Sequence, residues 1–419
     1  MSVTKLDTST QWKGLLRREG SEGKQVIRDE ENVRIILAND PRLAGIARFN
    51  EFSGEMQLSR ALPGDEPTGA DNAAPRRWRD SDTVALTTYI QRTSIAKVSR
   101  DRVEAATDYF ARYHGSFHPL RDYLQALVWD RKLRVSAWLA DYLGADDPTS
   151  MLYLTAVSTA FLVSAVARVF KPGCQADCAI VLEGEQGIFK SSALRVLASD
   201  EWFSDCLPSD LKHKDAKDHL RGKWIIELPE LAQFKRNEIE TVKAFLSRRH
   251  EQYRPSYGRH EISYPRQCVF AGSTNEEHYL VDTTGNRRFW PVKCGDIDLI
   301  GIARDRDQIW AEAVHLYRKG AIWHLTGDAA DAATTEASER VAVDPWTPLV
   351  IDALKALPKA VDLSPGELLD SLDLTTEQRH ARNAGRVAVI LRDLGWCRAP
   401  RRHRTRGSIY QRPLPGPEA

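Results

Sequence analysis

The densest chemistry in the chain is Gly184-Glu185-Gln186-Gly187-Ile188-Phe189-Lys190-Ser191, with Ser192 following. It stands directly after the apolar run Ala179–Leu182 and directly before a helix-like run, Ser191–Leu197. Strand, glycine turn and helix start are the context in which a phosphate loop forms. Its backbone N–H groups and the positive helix end would cradle phosphate oxygens. Lys190 would reach the β- and γ-phosphates of ATP, and Ser191 would hold Mg²⁺ through its hydroxyl. Phe189 stands where glycine normally precedes the lysine. A Cβ is tolerable there if the residue is already in helical geometry, with Gly187 supplying the tight turn.

Three further groups follow at positions such a loop needs. Lys223–Glu230 is an apolar strand ending in Glu227 and Glu230. One acid at such a strand end holds Mg²⁺ and another orients the attacking water. The two roles fall to the pair jointly, with Glu227 preferred for the metal. Gln267–Gly272 is a second strand, tipped by Ser273-Thr274-Asn275, whose amide would sense the γ-phosphate. Arg287 and Arg288 follow a glycine turn and precede an aromatic strand. They are placed to stabilise transition-state charge from a neighbouring subunit. A salt-bridged surface turn is the plain alternative for the arginines, and solvated charge for the acids.

A nucleic-acid surface is expected in two places. Arg248–His260 contains Pro-Ser-Tyr-Gly, a turn signal, which makes a hairpin with Tyr257, Arg259 and His260 near its tip. An aromatic ring and two cations suit a single-stranded backbone. Trp396–Arg412 carries Arg398, Arg401, Arg402, His403, Arg404, Arg406 and Arg412 without an acidic residue. As the wing of a winged helix it would lie along duplex DNA, with Arg382 and Arg386 of the preceding helix facing the same groove. A solvated hairpin and a basic tail without a partner are the competing readings.

The elements that must position these residues follow from patterning. Helical spacing dominates from Ser81 to Phe170, after a strand pair around Ile46–Leu58 and a Pro/Gly/Asp-rich break at Leu62–Pro75. From Cys178, short apolar runs alternate with helices, the signature of an α/β layer with a mainly parallel sheet. Beyond Glu339, three helix-like segments precede the basic stretch, the order of a winged-helix module. The divisions expected are 1–170, mainly helical and concerned with oligomerisation or DNA; 171–338, the ATPase core; and 339–419, the basic module. The chain has 419 residues, 42% of them hydrophobic and 28% charged, with a net charge of +1. That balance describes a globular protein and excludes a uniformly basic nucleic-acid coat. Met1–Arg17 is polar, so no signal peptide is expected. Leu152–Ala167 reads as a buried core helix, since it is short for a membrane span and interrupted by Thr and Ser. The six cysteines are scattered and read as free thiols in a reducing cytosol.

Gly184–Ser191, Glu201–Asp205, Lys223–Leu231, Lys243–Ser247, Tyr253–Tyr257 and Thr274–Val292 together resemble the virulence-associated protein E family. The likeness extends upstream through His118–Leu124, Trp129-Asp130 and Tyr142–Ala145, covering roughly Asn32 to Val292. That family is phage- and mobile-element-encoded and similar to superfamily-3 helicases of the AAA+ class. The resemblance implies an α/β AAA+-like phosphate-loop core and a helicase-like ATPase for DNA replication. It further implies a ring, a hexamer, with single-stranded DNA in the pore and duplex DNA at the carboxyl-terminal module. The family's nucleotide residues carry over to Gly184, Gly187, Lys190, Ser191, Glu227, Glu230, Asn275 and Arg287 or Arg288. A bacterial cytoplasm would be the setting, with no membrane partner. The alternative is a DNA-binding regulatory or interference protein whose weakened loop binds nucleotide and barely hydrolyses it. A small-molecule kinase is the third reading, disfavoured by the paired arginines and the basic carboxyl-terminal region.

Overall fold

The computed structural model describes residues 8–20, 23–64, 74–228, 236–254, 261–280, 285–342, 344–357, 362–372, 374, 383–399 and 408–411. At its centre is a five-stranded sheet, here numbered along the chain: β1 (Ala179–Glu183), β2 (Phe203–Ser204), β3 (Ile225–Leu228), β4 (Val269–Thr274) and β5 (Phe289–Lys293). All neighbours pair in parallel, in the order β5-β1-β4-β3-β2. β1 and β3 are buried along their whole length. A parallel strand covered on both faces needs such an unbroken apolar run.

Helices α1 (Met151–Phe170), α2 (Lys190–Ala198), α3 (Arg236–Leu246), α4 (Leu299–Arg318) and α5 (Asp328–Glu339) surround this sheet. One face of the sheet packs in a core with α1, α2 and α4; the other packs with α3. α1 is mostly apolar, and fourteen of its twenty residues are buried, Arg168 among them. Among the described residues only the span Pro148–Phe170 is long and apolar enough to cross a membrane, and most of it is buried inside the protein. Its tryptophan neighbours lock the packing. Trp224 and Trp310 pack with centroids 4.0 Å apart and rings tilted by 36°, and their indole N–H groups donate to the Ala165 and Leu197 carbonyls. Truncating a tryptophan packed in this way typically costs about 3–5 kcal/mol.

Two further cores flank the sheet. Residues between Trp12 and Ala111 form one of them, around helices Glu30–Asn39, Asp80–Thr93 and Arg100–His114. They sit against a four-stranded sheet in which the expected strand pair appears as Ala47–Asn50 antiparallel to Glu55–Leu58. Residues between Leu120 and Val169, grouped by sequence with this region, share instead the core of the central sheet. The other flanking core joins helices Thr347–Lys355, Pro365–Ser371 and Ala384–Asp393 with a short antiparallel pair, Cys397–Arg398 and Tyr410–Gln411. Thus the fold is mixed α/β around a parallel sheet.

Candidate functional site

The carboxyl ends of β1, β4 and β3 bring together four of the residues singled out by sequence. The loop from β1 turns at Gly184 (φ 145°) and Gly187 (φ 89°), then enters α2 at Lys190. The φ of Gly184 strains any other residue there, and a Cβ would come within 2.7 Å of the Ile188 Cδ1 atom, which would have to shift. The amino end of α2 therefore faces the loop, and its unpaired N–H groups favour an anion there. Glu185, Gln186 and Gly187 are exposed, whereas Ile188 is half-buried against the main core. Ser192 lies in the first turn of α2.

Phe189 differs from expectation. It adopts left-handed geometry, φ 69° and ψ 27°, rather than right-handed helical geometry, and its ring is 60% exposed. The backbone keeps the shape that glycine would give it, because the turn into α2 requires a positive φ. The side chain bears the strain, about 1–2 kcal/mol for a non-glycine residue.

Lys190 is 7% exposed. Its ammonium folds back to donate to the carbonyls of Gly184 (2.7 Å) and Glu185 (2.8 Å) and to Asn275 Oδ1 (3.0 Å). Burial pushes its pKa below the ordinary lysine value. Ser191 Oγ donates to Glu227 Oε1 at 2.7 Å, and Ser273 Oγ donates to the same oxygen at 2.6 Å. Glu227 is fully buried, and its second oxygen, Oε2, has no hydrogen-bond partner among the described residues. An orphaned carboxylate oxygen beside a serine hydroxyl suits a small hard cation. Mg²⁺ is commonly held by one or two protein oxygens with water completing its shell. Among the described residues no cluster of three His, Cys, Asp or Glu side chains could cage a metal, and this chemistry requires none.

Sequence reasoning missed the brace behind the loop. Glu183, the last residue of β1, accepts from Tyr279 Oη (2.9 Å) and from Arg340 Nε (3.1 Å). Arg340 also pairs with Glu336 and Glu339, and burial raises the pKa of Glu183. Nothing in a linear reading links Glu183 to an arginine 157 positions away. Ser273 did carry a signal, as a polar residue at the end of an apolar strand.

Arg287 and Arg288 lie at the opposite end of the sheet, where β5 begins. Five strand residues separate this end from the loop, roughly 16 Å at about 3.3 Å each. Arg288 donates to Ser247 Oγ (2.9 Å) and stands 4.0 Å from Asp177. Arg287 is exposed and makes no hydrogen bond or ion pair through its side chain among the described residues. A hairpin stem stands at this same end: His250–Tyr253 pairs antiparallel with Ile262–Pro265. Its tip, with Tyr257, Arg259 and His260, lies outside the described residues, as do Glu230, Arg382, Arg401, Arg402, Arg404 and Arg406. Arg386 is described; it pairs with Asp344 at 2.7 Å and stacks over Trp346, 4.1 Å from the ring centroid. Its guanidinium thus links helix Ala384–Asp393 to the Asp344–Trp346 turn within the carboxyl-terminal module.

No curated protein matches the chain. Among solved structures, the A form of the apo NrS-1 C-terminal region aligns at 11% identity over 87% of this chain and 95% of that one, with a TM-score of 0.42. A second apo structure of that region aligns at 10% identity over the same shares, with a TM-score of 0.43. These likenesses are too loose to carry an argument. The virulence-associated protein E-like domain matches residues 124–342, which contain the central sheet, the 184–191 loop and the Arg340 brace. That span starts well after Asn32 and runs past Val292, and on its strength the chain belongs to the virulence-associated protein E-like family.

Proposed function

We propose that the chain is an ATP-driven motor on DNA, a helicase-like ATPase of phage or mobile-element replication that works as a ring, with a hexamer the expected form. The observation that carries this reading is the convergence of Lys190, Ser191, Glu227 and Asn275 at the ends of three adjacent parallel strands. Open parallel sheets bind ligands at the carboxyl ends of their strands.

In this reading the 184–191 loop and the start of α2 hold the triphosphate of ATP. Lys190 exchanges its carbonyl partners for phosphate oxygens. Asn275, already within reach of Lys190, meets the γ-phosphate and orients the attacking water together with Glu230. Ser191 and Glu227 hold Mg²⁺, which when bound would neutralise charge on the β- and γ-phosphates. Arg287 or Arg288 approaches the γ-phosphate of a neighbouring copy, because both stand too far from the loop of their own chain. The hairpin carrying Tyr257, Arg259 and His260 grips single-stranded DNA. The carboxyl-terminal module, as a winged helix, lies on duplex DNA through Arg382, Arg401, Arg402, Arg404 and Arg406.

The test is steady-state ATP hydrolysis by the full chain, with and without single-stranded DNA, alongside Lys190→Ala. DNA-stimulated turnover that falls by about 10²–10³ in the variant is expected, the usual cost of removing one preorganised charge-stabilising donor. Turnover unaffected by Lys190→Ala would remove the site assignment. The strained backbone at Phe189 favours one second reading, a DNA-binding regulator that binds nucleotide without turning it over. Nucleotide and DNA binding with no hydrolysis would select it.

A further inference from the structure

A cavity of about 720 Å³ opens at the amino end of the sheet, remote from the 184–191 loop. Lys171, Arg249, Arg287 and Arg288 line it, against the carboxylates of Asp177 and Asp331. These cations come from the end of α1, the approach to the hairpin and the start of β5, so the fold gathers them from three distant stretches of chain.

Behind the wall lies Arg168, 1% exposed. Its Nη2 donates to the Ala176 carbonyl at 2.8 Å, but Nε and Nη1 have no hydrogen-bond partner among the described residues. Ser164, one turn before it on α1, lines the cavity, as do Lys171, just beyond the end of α1, and Ala176. A second buried guanidinium gives the contrast. Arg266 is equally buried, yet it holds Glu251 at 2.7 Å and the Phe245 carbonyl at 2.6 Å. Among the described residues Arg168 makes no ion pair, and a buried charge without a paired counter-charge is among the most costly features a fold can keep. Burial accordingly pushes the Arg168 pKa down.

We propose that this cavity is a phosphate site, separate from the 184–191 loop, that takes a backbone phosphate of a single-stranded nucleic acid. Arg168, Lys171, Arg249 and Arg288 supply the charge, while the exposed Arg287 remains available to a neighbouring copy. Arg249 directly precedes the hairpin strand His250–Tyr253, and its Nε donates to the Gly173 carbonyl at 2.7 Å. Trp323 also lines it, with its indole N–H fixed on the Gln175 carbonyl at 2.8 Å. A positive groove beside an aromatic wall is the general design of single-strand sites. The strand's identity rests on the DNA reading above; the phosphate site does not depend on ATP hydrolysis.

The test uses the full chain, Lys171→Glu, Arg168→Met and, as a control, Lys190→Ala. Binding of a labelled thymidine oligomer is followed by anisotropy over a range of salt, and thermal midpoints are read with inorganic phosphate and with Mg·ADP. Lys171→Glu and Arg168→Met should each weaken the oligomer about tenfold and lower the salt slope by about one. Arg168→Met should keep or raise the ligand-free midpoint, since it removes an unpaired buried charge. Lys190→Ala should bind the oligomer normally but lose the Mg·ADP shift, so failure of the ATP reading shows separately. Wild-type affinity and slope in both cavity variants would overturn the proposal. Loss of the inorganic phosphate effect in those variants, with oligomer binding unchanged or absent in every protein, would overturn the strand assignment.

Discussion

The two ends of the central sheet are opposite in character. At the carboxyl end, Lys190 bonds Asn275, Ser191 and Ser273 both bond Glu227, and the Arg340–Glu183 pair braces the loop from behind. At the amino end, Arg287 is exposed, Arg168 has donors unpaired among the described residues, and Lys171 and Arg249 face a cavity. One end is closed on itself within a single chain; the other gathers more cations than the carboxylates of Asp177 and Asp331 balance. The difference teaches that the preorganised half of a reaction site can be built by one copy. In the proposed reading, the charge that finishes it comes from the far end of a neighbouring copy.

The sharpest way to break this contrast is Arg287→Ala. An arginine supplied across an interface is worth roughly 10³–10⁵ in rate, so DNA-stimulated hydrolysis should collapse while Mg·ATP affinity, measured by calorimetry, changes little. A fall in affinity with an unchanged rate would place Arg287 elsewhere. Next comes the brace. Arg340→Ala leaves Glu183 buried without its cation, which should cost about 3–5 kcal/mol in denaturant unfolding of the core; loss of less than about 1 kcal/mol would mean that water relieves the carboxylate.

A smaller effect belongs to Phe189→Gly. Relief of the left-handed strain, about 1–2 kcal/mol, is partly offset by the greater freedom of glycine in the unfolded chain. A net gain below about 1 kcal/mol is expected, read as a higher denaturant midpoint with nucleotide affinity equal or improved. A lower midpoint would show that the exposed ring has a role of its own.

The smallest concerns Asp344. Burial pushes its pKa up, but hydrogen bonds from Arg386 and the Trp346 backbone, with the charge of Arg386, outweigh burial and hold it below 3.8. A depressed folded-state pKa adds stability that is present above the unfolded value and is lost as pH falls through the lowered one. The carboxyl-terminal module should therefore loosen below pH 3.8, read by tryptophan fluorescence. Arg386→Gln should move that step to higher pH; an unmoved step would show that the pair does not control it.

Much of the carboxyl end was legible in the sequence, because its parts are local. An apolar run, two glycines and a Lys-Ser pair define the β1–α2 turn, and β3, β4 and β5 each showed as an apolar run bounded by polar residues. The conformation of Phe189 was not legible, since the turn geometry overrides the side chain's own preference. Nor were Arg340 and Arg168, whose meaning lies in partners, or in missing partners, brought near or kept away by tertiary packing. The core grouping of residues 120–169 with the central sheet was hidden for the same reason: helical periodicity marks an apolar face but not the surface that covers it.

The most direct test of the account mixes Lys190→Ala and Arg287→Ala chains in equal amounts and measures DNA-stimulated ATP hydrolysis. Each alone should be nearly inactive. If the loop of one copy works with the arginine of the next, random mixing in a head-to-tail ring restores about one quarter of the wild-type interfaces. A corresponding recovery of rate is the predicted result. A mixture no more active than its two components, with both variants folded and assembled like the wild type, would contradict the account.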